Sequence, residues 1–208
     1  MDAPDGENCI SMKDMPTGQP HITGDRIRSV LRLTPPDVLA GEARFRRAAV
    51  IVPIIMRDEP ALLFTRRTEH LPSHAGQICF PGGSYHASDE TLIRTALREL
   101  QEEIGVPADG ITIAGFLDLY ETLNSGFRIL PVVGFLDANC ALTINQDEVA
   151  EVFEVPLSFL IDPSHRALKY AERGGVMREF YSIQFGHHEI WGATAAMIVN
   201  LAERLRST

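Results

Sequence analysis

The sequence predicts an α/β fold in which a mixed β-sheet carries helices on both faces. Two observations carry that expectation. Apolar stretches at residues 48–56, 61–65, 77–80, 111–120, 128–136 and 151–155 are bounded by Asn, Asp, Gly and Pro, the pattern of strands separated by turns. Residues 90–104 and 193–205 instead repeat their apolar positions at helical spacing, which marks amphipathic helices set among the strands.

Taken in order, residues 1–24 are rich in Gly, Pro, Asp and Ser without sustained periodicity and read as a flexible N-terminal arm. Residues 25–208 read as one domain. A short helix is expected over 25–33, capped by Gly24 or Asp25 and stopped by Pro35-Pro36. The strand 48–56 turns through Asp58-Glu59-Pro60 into a hairpin partner at 61–65. Arg66 and Arg67 follow, and strand alternation sends one inward and the other outward. The short strand 77–80 enters the glycine turn Phe80-Pro81-Gly82-Gly83, and the helix 90–104 comes next. After the later strands, residues 157–160 start a short helix behind Pro156. The last helix packs Met197, Ile198, Leu201 and Leu205 on the sheet.

Composition narrows the function. At 208 residues and 45% hydrophobic, the chain can bury the core of one domain, whereas two would be cramped. A formal charge of −9 argues against extended binding to nucleic acid or an anionic membrane, both of which rely on basic surface. Cys9, Cys79 and Cys140 have no CxxC spacing, so neither a disulfide framework nor a zinc site is expected from them, and a reducing cytoplasm fits. No apolar run approaches the length of a membrane span.

The chemistry concentrates in Arg98-Glu99-Leu100-Gln101-Glu102-Glu103-Ile104-Gly105-Val106. At about 100° per residue, Glu99, Glu102 and Glu103 share one arc of the helix, while Ile93, Ala96, Leu97, Leu100 and Ile104 share another. Three like charges on one face repel, and a hard divalent cation relieves them. Mg²⁺ and Mn²⁺ take carboxylate, water and phosphate oxygens. Gly82 and Gly83 let the backbone approach, and Gly105 ends the helix. His70 and His74 stand four apart with Pro72 between them, which reads as a loop. His187-His188 and Trp191, near the last helix, read as a surface pair and a packed indole.

On these residues the chain resembles the Nudix hydrolase family. Its signature is a glycine, five residues, an acidic residue, then after a gap Arg-Glu-apolar-x-Glu-Glu-x-Gly-apolar. Arg98 through Val106 match the second half throughout; Gly83 and Asp89 stand one residue early in the first half, a shift that resembles the coenzyme A pyrophosphatase branch. The segment 62–83 is similar to that branch's upstream motif at Leu63, Thr65, Arg67, Gly76 and Phe-Pro-Gly-Gly. It differs at Phe64, Thr68 and Pro72, where the branch has leucine, a small residue and arginine. Phe127-Arg128-Ile129-Leu130-Pro131, the segment 148–157 and Ile190-Trp191-Gly192-Ala193-Thr194-Ala195 extend the likeness to the C-terminal region.

The resemblance implies a Nudix-type α/β/α sandwich and a metal-dependent hydrolase. By it, Glu99 and Glu103 are the principal ligands of Mg²⁺ or Mn²⁺, Glu102 is a further ligand or supports them, and Arg98 orients a carboxylate. The general base comes from Glu148 or Glu151, with Glu151 ahead. Arg67, Gly76, Phe80, Gly82 and Gly83 lie on the substrate side. The expected reaction cleaves the diphosphate of coenzyme A or a derivative to 4′-phosphopantetheine and adenosine 3′,5′-bisphosphate. ADP-ribose, NADH or a nucleoside triphosphate as substrate, and a non-hydrolytic nucleotide-binding regulator, stay open as alternatives. The expected partner is a small nucleoside diphosphate, and the protein a monomer or homodimer.

Overall fold

A long apolar strand, β1 (Arg46–Met56), organises the molecule. Val52 and Ile54 on one side of it enter one core, while Ala49, Ile51 and Ile55 on the other enter a second. A strand buried on both faces belongs in the middle of a sheet. β1 runs parallel to β7 (Phe127–Asp137) along its whole length. Its other edge is shared: β2 (Ala61–Arg67) pairs antiparallel with its C-terminal half and β4 (Gly82–Ser84) with its N-terminal half. The sheet therefore divides beside β1. β8 (Val149–Pro156) lines the outer edge of β2, and the short β3 (Ile78–Cys79) pairs with the end of β2. β5 (Ile111–Phe116) and β6 (Tyr120–Thr122) pair with β7. One parallel pair among antiparallel ones makes the sheet mixed, as expected.

This is a computed structural model, and it describes residues 22–38, 45–122, 125–173 and 175–207. The expected N-terminal arm, up to residue 21 and including Cys9, lies outside the described residues.

Helices cover both faces. On one, α2 (Leu92–Ile104) buries Leu92, Ala96, Leu100 and Ile104 against Ala49, Ile51, Leu130 and Val132. On the other, α1 (Gly24–Val30), α3 (Leu157–Ile161) and α4 (Gly192–Arg206) pack Ile27, Leu157, Met197, Ile198 and Leu201 against Val52, Ile54, Phe64 and Val133. Burying each such aliphatic side chain contributes about 1.5–3 kcal/mol. That anchoring sets the rotation of α2 and hence the direction of its carboxylates.

Several boundaries differ from expectation, among them the end of α1, which stops at Val30 with Leu31 in extended conformation, short of Pro35-Pro36. α1 is capped by Thr23, whose hydroxyl accepts from Arg26 N, rather than by Gly24 or Asp25. α2 starts at Leu92 behind the cap Thr91, because Glu90 has φ +62° and a short 3₁₀ turn occupies Ala87–Asp89. The expected strand 111–120 is two strands, and the register of β5 on β7 already slips between Ile113 and Gly115. A whole second sheet was not expected: β9 (Arg166–Arg173), β10 (Val176–Phe185) and β11 (His188–Trp191) form an antiparallel meander. β9 and the start of the central strand β10 expose Leu168, Tyr170, Val176 and Met177 among charges, so no apolar alternation betrays them. His187 lies in the β10–β11 turn and His188 opens β11. Among the described residues, no helix is long and apolar enough to cross a membrane.

Candidate active site

Burial of Ala96, Leu100 and Ile104 turns the acidic arc of α2 toward β4 and the division of the sheet. The helical arc put the three carboxylates together on one acidic face, but packing treats them differently. Glu103 is only 1% exposed, and its Oε1 lies 3.5 Å from Gly82 N and 3.8 Å from Arg67 Nη1. Its Oε2 is buried without a partner, and so is Arg67 Nε. Burial pushes the Glu103 carboxyl up to about 8, against the pull of Arg67 and the Gly82 N–H, and the charges of Glu99 and Glu148 add to the rise. Burial raises Glu99 as well, with Arg98 opposing and Glu102 and Glu148 reinforcing it.

Arg98 holds the other two carboxylates. Its Nε and Nη2 grip Asp89 at 2.8 and 3.1 Å, a bidentate pair. Nη1 donates to Glu99 Oε1 at 2.7 Å and to Glu102 Oε2 at 2.8 Å, and Nη2 donates to the Ser84 carbonyl. Asp89 is buried and also accepts from the Thr95 hydroxyl and the His86 N–H. The Arg98 hydrogen bonds hold its carboxyl well below the usual carboxylate range. Asp89 was not among the expected site residues; its signal in the sequence was its place one residue before the family's acidic position.

Gly83 is where a side chain is least affordable to the site. A Cβ there would lie 2.4 Å from Glu99 Oε1. Gly83→Ala is expected to displace that carboxylate and to cut kcat/KM about 10–100-fold, the usual consequence of disturbing the support of a metal ligand. Thermal denaturation in parallel checks that the fold survives; unchanged kcat/KM would refute the contact's importance.

At the other end of α2, Gly105 takes the left-handed conformation, φ +75°, and its N–H caps Gln101 O. Thr143 occupies the space a Cβ would need, 2.7 Å away. From there Thr143 N and Asn145 N donate to the Ile104 and Glu103 carbonyls, which the helix end leaves without intrahelical partners. The loop docked in this way leads into Glu148, whose charge acts on both Glu99 and Glu103.

Glu151, expected ahead of Glu148 as the base, faces elsewhere. Val152 packs into the core beneath α2, whereas Phe153 and Val155 pack into the core beneath α4. Alternation puts Glu151 on the α4 side, where Arg66 Nε donates to it at 3.0 Å and His188 Nε2 lies 3.3 Å away. The arginine pair separates as alternation requires, Arg67 to the α2 side and Arg66 to the α4 side. Phe80, expected to touch substrate, is 2% exposed and stacks on Phe64 at 5.0 Å, so its ring is core. Gly76 lies under the Glu69 carboxylate in the loop after β2, with His70 and His74 exposed beside it.

The donors offered on the α2 side are all carboxylate oxygens, held apart by Arg98 and Gly82 rather than drawn to one point, and one of them, Glu103 Oε2, is buried and unpartnered. That is the environment an oxygen-seeking divalent ion completes.

The NUDIX domain profile matches residues 44–171. A Yersinia enterocolitica protein named "Uncharacterized Nudix hydrolase NudL" is 39% identical over 194 residues, covering 93% of this chain and 99% of its own. The Yersinia pestis protein of the same name is 38% identical over 199 residues with the same coverage. A MutT/nudix family protein from Enterococcus faecalis shares the fold, with a TM-score of 0.50 at 15% identity over 82% of this chain and 65% of its own. With over half its length inside the family profile and relatives aligned along nearly all of theirs, the chain belongs to the Nudix family and is a hydrolase of pyrophosphate bonds.

Proposed function

We propose that the protein is a Mg²⁺- or Mn²⁺-dependent pyrophosphohydrolase that cleaves the diphosphate of coenzyme A or its derivatives to 4′-phosphopantetheine and adenosine 3′,5′-bisphosphate. The observation that carries the metal assignment is Glu103, buried with an unpartnered oxygen one helical turn from Glu99. Glu99, Glu103 and Glu102 would hold the ion, which when bound neutralises diphosphate charge and acidifies water.

The chain's own residues do the rest. Arg98 fixes the directions of Glu99 and Glu102, so neither must be ordered when substrate arrives. Gly82 and Gly83 keep the approach open, and Arg67, beside Glu103, faces the substrate phosphates. Glu148 takes the proton from the attacking water, because it shares the field of Glu99 and Glu103 while Glu151 is engaged across the sheet. Glu148→Gln should therefore cost about 10²–10⁴ in kcat, and Glu151→Gln far less. The reverse order of losses would overturn the assignment.

The choice of coenzyme A rests on the likeness of the segment 62–83, in which Pro72 supplies no charge to a phosphate. Phosphate release from coenzyme A, dephospho-coenzyme A, ADP-ribose and NADH, coupled to a phosphatase in Mg²⁺ or Mn²⁺, tests it with Glu103→Gln as control. Selective, Glu103-dependent cleavage of coenzyme A is the expected result. Cleavage of the other diphosphates alone would overturn the substrate, and tight binding without turnover would overturn hydrolysis. We further read residues 25–208 as a single cytoplasmic domain.

A further inference from the structure

Across the sheet from the α2 carboxylates lies a second cluster with a different donor set. Glu151 on β8, His187 in the β10–β11 turn and His188 on β11 each offer one ligand atom, and these atoms all lie within 4.8 Å of one another. His188 Nε2 and Glu151 Oε1 are 3.3 Å apart. That is long for an N–H···O hydrogen bond and close to the separation, about 3.4 Å, of two ligands held at 2.0–2.1 Å on a tetrahedral ion.

The groups are held in place before any ion binds. His188 is buried and lies flat on Phe153, with ring centroids 3.8 Å apart and planes 10° apart, and Phe153 stacks in turn on Phe64. His187 leans on His188 with centroids 3.9 Å apart. Arg66 Nε donates to Glu151 Oε2, leaving Oε1 toward His188, the way outer partners orient a ligating carboxylate. Glu69, 3.5 Å from Arg66, offsets part of the arginine charge.

We propose that Glu151, His187 and His188 form a second metal site, one for a borderline transition ion of the Zn²⁺ class. Two imidazoles and a carboxylate suit such an ion, whereas the all-oxygen set on α2 suits Mg²⁺ or Mn²⁺. On binding, His188 Nε2 coordinates through its lone pair, its proton moving to Nδ1 or leaving to solvent. The exposed side at His187 leaves a coordination position for water. The ion ties the β10–β11 turn to β8 and so cross-links the two sheets. This site is independent of the hydrolytic reading, since it uses the opposite face of the sheet.

The test is calorimetric titration of Zn²⁺ into the full-length Glu103→Gln chain in excess Mg²⁺, which keeps Zn²⁺ from the α2 carboxylates. One Zn²⁺ per chain at micromolar Kd or tighter is expected, with a Tm rise of about 5–10 °C at a hundredfold excess over Kd. Adding His187→Ala, at an exposed turn, should weaken binding at least tenfold and remove most of the Tm shift. His188→Gln, which retains a neutral polar side chain, serves as the second variant and should do the same. Absence of Zn²⁺ binding, or equal affinity and stoichiometry in both histidine variants, would overturn the proposal.

Discussion

Arg98→Ala is expected to lower stability by about 3–5 kcal/mol, the cost of leaving a buried partner charge uncompensated. The partner is Asp89, which has Arg98 as its bidentate cation and is buried beneath the site. At about 2–4 °C per kcal/mol for a chain of this size, Tm should fall by roughly 6–20 °C. Turnover should fall by at least about 10²-fold as Glu99 and Glu102 lose their shared donor. Arg98→Lys would not rescue it, since one ammonium cannot grip Asp89 in two bonds and also reach Glu99, Glu102 and the Ser84 carbonyl. Asp89→Asn added to Arg98→Ala should recover part of the loss, because no buried charge is then left unpaired. A denaturation midpoint for Arg98→Ala within a degree of wild type would refute the clamp. The pH dependence has a definite sign. The Asp89 carboxyl is lowered in the fold, so its contribution is complete above the unfolded value of 3.8 and is lost as pH falls below it.

Glu103→Gln should abolish most hydrolysis while stabilising the metal-free protein. Losing a ligand that holds several kcal/mol of charge stabilisation corresponds to about 10³-fold in kcat. For stability the sign is opposite to that of Asp89. Burial raises the Glu103 carboxyl from 4.5 to about 8, so between these values the folded state binds more protons than the unfolded one. Stability therefore falls as pH rises from about 4.5 to about 8. An amide carries no charge and escapes that loss, which is on the order of a few kcal/mol by pH 8. Melting curves without metal should show Glu103→Gln and wild type close at pH 5, with the variant several degrees higher at pH 8. Adding Mg²⁺ should raise wild type more at pH 8 than at pH 5, because the ion favours the ionised carboxyl. Identical Tm profiles for the two proteins across this range would show that Glu103 is not held against ionisation.

Much of this was legible in the chain. The apolar period of 90–104 set Leu100 and Ile104 inward and the glutamates to another arc, and the structure keeps that division for Glu99 and Glu102. Strand alternation separated Arg66 from Arg67 correctly. Gly83 and Gly105, read as a close approach and a helix stop, occupy those roles against Glu99 and Thr143. The second sheet was not legible, because strands with exposed apolar residues on a solvated meander lack the period-2 contrast on which such a reading depends.

The sequence by itself determined the apolar strands and amphipathic helices of an α/β chain and the acidic helix behind a glycine turn, since each depends on residues a few positions apart. The tertiary structure alone decided that Glu103 is buried, that Asp89 anchors Arg98 and that Glu151 joins Arg66 and His188 while the charge of Glu148 reaches Glu99 and Glu103. Periodicity reports which face of one element is apolar; it carries nothing about which distant element covers that face. The pairing of Arg66 with Glu151, 85 residues apart, is set by the register of β2 on β8, and no local pattern encodes that register.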